Sequence, residues 1–108
     1  MNQEARDKLV EAELAGVKQI KGNFSHSGGR CALGVLGFGL GNNNAKELMI
    51  KYGFIEHKLC KCPLLNTDLD TYSCSTRMTE TQLVVHMNDD HSMSFLDIAR
   101  KFPEPTNG

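Results

Sequence analysis

The chemistry in this chain is concentrated in its thiols and imidazoles: Cys31, Cys60, Cys62 and Cys74, with His26, His57, His86 and His91. His57-x-x-Cys60-x-Cys62, followed by Cys74, gives an imidazole and three thiols within eighteen residues. Zinc takes four soft or borderline ligands in a tetrahedron, and two neighbouring loops carrying Cys and His can supply them. A segment poor in apolar mass gains folding free energy from such a metal. His57, Cys60, Cys62 and Cys74 are therefore the expected ligands, and zinc the expected cofactor. The spacing departs from a zinc knuckle, because C-x-C replaces C-x-x-C and the second half offers a single cysteine. Cys31, His26 or His91 are alternatives to His57 in space.

Three further constellations bear on function. Cys31 opens an apolar stretch, and a thiol at a helix N-terminus has its pKa lowered by the helix dipole and the unpaired N–H groups. With His86 as base and Asn88-Asp89-Asp90 as orienting groups, it would form the core of a thiol hydrolase. Cysteine is also a common small hydrophobe of protein cores, so catalysis is the weaker expectation. Asn88, Asp90, Ser92 and Ser94 alternate like the early ligands of a calcium loop. The pattern fails at Met93, where glycine is needed, and at Ala99, where a bidentate Glu is needed. Gly37-x-Gly39-x-Gly41 resembles a phosphate cradle but lacks both the G-x-G-x-x-G spacing and the G-K-[ST] ending.

These residues need a scaffold, and the local signals describe one. Residues 3–15 have a helical stripe of Leu9, Val10 and Leu14, closed by Gly16. Residues 17–24 alternate as a short strand, and Ser25-His26-Ser27-Gly28-Gly29 is turn chemistry, predicting a hairpin that returns through Arg30. Cys31 to Leu40 is apolar all round and reads as a buried helix, with Gly34, Gly37 and Gly41 on one side. Asn44 caps a helix that Gly53 closes. Residues 54–77 are irregular. Thr79-x-x-Gln82 is a capping box with Met78 and Leu83 as its staple, and Ser94-x-x-Asp97 repeats the device with Met93 and Ile98. The two helices that follow, 80–88 and 95–102, offer Leu83, Val84 and Met87, then Phe95, Ile98, Ala99 and Phe102, to a core. The expected fold class is α+β: one mostly helical domain over 1–108, with a small N-terminal hairpin packed on the buried Gly-rich helix. Residues 103–108 form the expected tail.

Leu, Ile, Val and Phe make up 26 of the 108 residues. That is enough for one core and excludes a disordered chain. The formal net charge is −1, so no global field draws the protein to nucleic acid or anionic lipid. Residues 1–62 sum to +3 and residues 63–108 to −4, so an acidic C-terminal surface facing a basic partner is one expectation. The start of the chain has mixed charge without the apolar core of an export signal, and no apolar run approaches the ~20 residues of a membrane span. A cytoplasmic setting with reduced thiols follows as an expectation.

Cys31-Ala-Leu-Gly-Val-Leu36, together with Leu83-Val-Val-His-Met-Asn-Asp89 and Ser94-Phe-x-x-Ile-Ala99, resembles a loose group of small uncharacterised phage and bacterial proteins. The resemblance implies a phage or mobile-element setting, in which accessory proteins act by binding and blocking a host factor. It carries no activity. The expected function is thus a small interaction module binding a host protein stoichiometrically. The rivals are a zinc-stabilised nucleic-acid binder using Lys18, Lys21, Arg30, Lys58 and Lys61, and a cysteine hydrolase built on Cys31.

Overall fold

A computed structural model of the chain describes residues 1–23, 25–26, 28–39, 44–55, 58–63 and 77–103. Along the chain run α1 (Gln3–Leu14), β1 (Ser25–His26), β2 (Gly29–Arg30), α2 (Ala32–Val35) and α3 (Ala45–Lys51). They are followed by β3 (Leu59–Cys60), β4 (Met78–Thr79), α4 (Glu80–Asp89) and α5 (Phe95–Lys101). The class is α+β, as the sequence predicts. Strands β1 and β2 pair antiparallel, and so do β3 and β4, as two separate two-stranded sheets.

The helix boundaries follow the caps. The Asn2 side chain accepts from Ala5 N at the start of α1, Asn44 accepts from Lys46 N and Glu47 N before α3, and Ser94 accepts from Asp97 N before α5. At α4 both halves of the capping box are formed: Gln82 N donates to Thr79 Oγ1, and Thr79 N donates to Gln82 Oε1. Each cap satisfies donors that a helix N-terminus leaves unpaired, which fixes where the helix begins.

Helix α1 lies against α5, and α4 packs on α2 and on the β3–β4 pair. The core between them holds Leu9, Leu36, Leu83, Val84, Met87, Phe95 and Ile98. All four apolar positions expected on the last helix are buried, including Phe102. On α1 the buried stripe is Ala5, Leu9 and Ala12 rather than Leu9, Val10 and Leu14; Leu14 is 83% exposed. Two alanines let α1 approach α5 closely, and Arg6, buried on the same side, donates to the carbonyls of Ala99, Phe102 and Pro103. Phe54 joins Phe38 and Phe102 edge-on, with ring centroids 6.1 and 6.2 Å away.

Two expected elements differ. The Cys31–Leu40 helix is only four residues long. It stops because Gly37 and Gly39 adopt φ 97° and 70°, a region that no right-handed helix contains. The strand expected over 17–24 forms only backbone bonds with Arg30, from Arg30 N to Lys18 O and from Ile20 N to Arg30 O, as a parallel bridge. The antiparallel pairing lies within the residues read as the turn, Ser25↔Arg30 and His26↔Gly29. Lys18 and Lys21 give this stretch too little apolar surface to hold a full strand on the core. The Gly41 part of the glycine series and the end of the expected tail, residues 104–108, lie outside the described residues.

Candidate metal centre

The end of α4 is where the chain concentrates its polar side chains. After Asp89 the helix closes through two bonds to one carbonyl, Asp90 N and His91 N both donating to His86 O. Ser92 then takes φ 52° and turns the chain away. This closure folds His91 back over the helix end, so that two histidines five residues apart face each other. Their rings meet edge to face at 4.7 Å, and the two Nε2 atoms are 3.1 Å apart. From the other side comes Cys62, just beyond β3, whose Sγ lies 3.5 Å from His91 Nε2. The three ligand atoms lie within 4.8 Å of one another, and all three residues are buried.

Hydrogen bonding orients the His86 ring. His86 Nδ1 is 2.6 Å from Asp90 Oδ2. A carboxylate accepts there, so Nδ1 is the donor, and in the neutral ring Nε2 is left with the lone pair. That lone pair faces His91 Nε2 and either accepts a hydrogen bond from it or shares a cation with it. With metal–nitrogen bonds of about 2.05 Å and a zinc–sulfur bond of about 2.3 Å, tetrahedral edges are about 3.4 Å for N···N and about 3.6 Å for N···S. The observed 3.1 and 3.5 Å are close to those edges. The cluster could hold a metal ion.

Sequence spacing anticipates one of these ligands. Cys62 belongs to both the expected and the observed set, and His91 was an alternative to His57. Cys60 is half-buried in β3 opposite Met78 and directs its sulfur to the Met78 carbonyl, 3.3 Å away. It is not one of the three clustered groups. Burial raises its thiol pKa, with the Glu80 carboxylate adding to the effect. His57 and Cys74 lie outside the described residues. His86 is the candidate ligand that spacing misses. The pattern His86-x-x-x-Asp90-His91 is the signal for it, one imidazole on the helix with its orienting carboxylate four residues on and a second imidazole at the turn.

Cys31 caps α2, with Gly34 N donating to its sulfur over 3.4 Å. Contrary to the expectation for a helix N-terminus, its pKa is raised. Burial dominates, and the bonds from Gly34 and Leu33 offset it only in part. Cys31 borders a half-open cavity of about 290 Å³, with Leu33, Val85, Asn88 and Asp89 among its walls. The ring nitrogens of His86, the base this thiol would need, are directed to Asp90 and His91. Asn88, expected as part of an orienting cluster, is a structural hub. Its Oδ1 accepts from Gln19 Nε2 and Ala32 N, and its Nδ2 donates to Ile20 O and Asp89 Oδ1. No helix among the described residues is long and apolar enough to cross a membrane. Set against protein-family models, curated proteins and solved structures, the chain matches none, and its reading rests on the geometry of its own residues.

Proposed function

We propose that the protein is a small binding module whose fold is clipped by one zinc ion held by Cys62, His86 and His91. The observation that carries this reading is the convergence of a thiol and two imidazole nitrogens within 4.8 Å of one another, two of the three separations close to tetrahedral edges, with one imidazole already oriented by a carboxylate. One thiolate and two imidazoles are a borderline ligand set that suits zinc better than calcium or magnesium. Burial of all three groups supports an ion shielded from solvent, and a structural role requires a fourth ligand to close the tetrahedron, since three protein ligands alone leave the open position of a catalytic zinc. Such a clip ties the segment after β3 to the α4–α5 corner. The phage or mobile-element setting and a host-protein partner belong to the same proposal.

The test is elemental analysis of protein purified under reducing conditions without added metal, with circular dichroism before and after chelation. About one zinc per chain, lost in Cys62→Ser and in His86→Ala but kept in Cys60→Ser, is the expected result. Absence of metal, or a spectrum indifferent to chelation, would overturn the structural clip. Including Cys74→Ser and His57→Ala identifies any further ligand. The nucleic-acid alternative is separated by titration with DNA and RNA at several salt concentrations. A salt-steep affinity would favour that alternative, and no binding would favour a protein partner.

A further inference from the structure

We propose that Asp90 is a positioning residue of the metal centre, one that sets its affinity for zinc without touching the ion; this rests on the zinc reading above. Two carboxylates sit next to each other at the end of α4, and they are not equivalent. Asp89 is engaged with the strand side of the fold: its Oδ2 accepts from Gly22 N and its Oδ1 from Asn88 Nδ2. Asp90, the C-cap residue, has a different partner and meets His86 Nδ1 at 2.6 Å. The i,i+4 spacing of His86 and Asp90 places both side chains on one helix face, so the pair is built into the helix.

The consequence for a ligand is specific. An imidazole has two neutral tautomers, and only the one with its proton on Nδ1 offers a lone pair at Nε2. Asp90 selects that tautomer and fixes the ring's rotation about its Cβ–Cγ bond. The lone pair is thereby aimed at the space bounded by Cys62 Sγ and His91 Nε2. Carboxylate partners of this kind raise the basicity of a zinc-bound imidazole, and their loss costs about 10–100-fold in metal affinity. The Asp90 side chain is 45% exposed, so its removal leaves no buried hole and the helix retains its packing.

The experiment compares wild-type protein with Asp90→Ala and Asp90→Asn. Zinc affinity is measured by competition with a chromophoric chelator, and the His86 tautomer by nitrogen-15 correlation spectra of the metal-free imidazoles. The expected result is an affinity about 10–100-fold weaker in Asp90→Ala, an intermediate loss in Asp90→Asn, which keeps an acceptor oxygen, and a shift of His86 away from the Nδ1–H form. Zinc-loaded wild type with Asp90→Ala binding within twofold of it would overturn this role and leave the zinc clip standing. A weaker affinity with an unchanged tautomer would reduce Asp90 to a structural contact and also overturn it. A wild type that takes up no zinc would sink both proposals together.

Discussion

Cys31 shows how one side chain can hold two opposed influences. The helix N–H groups around its sulfur favour the thiolate, and the surrounding apolar atoms favour the thiol; burial wins. Iodoacetamide should therefore alkylate Cys31 at neutral pH at least about tenfold more slowly than an unstructured cysteine, measured by mass spectrometry of the modified peptide. Fast labelling would revive the hydrolase reading. The same displacement has a stability consequence. The folded thiol ionises at higher pH than the unfolded one, so its contribution is intact below the ordinary thiol range of about 8.5. It is lost as pH climbs through the raised folded value. Urea midpoints between pH 7.5 and 10 should fall more steeply for wild type than for Cys31→Ala. Asn88 is the other decisive residue, linking the 19–20 segment and the start of α2 to α4 while 1% exposed. Asn88→Ala strands the Ala32 N–H and the Ile20 carbonyl, and should cost about 3 kcal/mol in a denaturant titration.

At the scale of elements, the sequence was most legible where a helix begins. Thr79, Ser94 and Asn44 are short polar side chains ahead of apolar periodicity, and each caps the helix expected of it. Thr79→Ala should accordingly lose about 1 kcal/mol of stability in thermal or urea unfolding. The apolar stretch from Cys31 to Leu40 predicts a longer helix than Ala32–Val35 because hydrophobicity reports burial rather than helix length. The β3–β4 pair leaves no mark in the sequence because two-residue strands carry no periodicity. Glycine separates two kinds of position at helix ends. Gly16 and Gly53 have nearly the same φ, 75° and 73°, but a Cβ at Gly16 would meet open space. At Gly53 it would approach Asn2 Cβ to 3.0 Å and Asn2 N to 3.1 Å. The left-handed conformation costs a non-glycine residue about 1–2 kcal/mol at either site. Gly53→Ala should therefore lower stability clearly more than Gly16→Ala, because Asn2 cannot yield while it caps α1 and Asn2 N donates to Tyr52 O.

For the molecule as a whole, the candidate site is a long-range object, and this explains why spacing alone pointed to only part of it. Cys62 is brought to His86 and His91 by the pairing of β3 with β4 and the packing of α4, so its partners are nearest in space rather than along the chain. Zinc at 100 times its dissociation constant should add about 2.7 kcal/mol. In a domain of this size that corresponds to a Tm rise of roughly 10–20 °C by calorimetry, reversed by chelator. The contact of α1 with α5 spans the chain more completely still. Arg6 finds its acceptors at Ala99, Phe102 and Pro103, so α1 is completed by α5 and the residues after it, more than ninety positions later. At about 5–20 residues per second of synthesis, roughly 5–20 s separate the appearance of these two partners. During that interval the face of α1 that packs on α5 lacks that partner, and a stalled or prematurely ended chain would present it to chaperones and proteases. Translation speed between α1 and α5 thus becomes a determinant of how much folded protein accumulates.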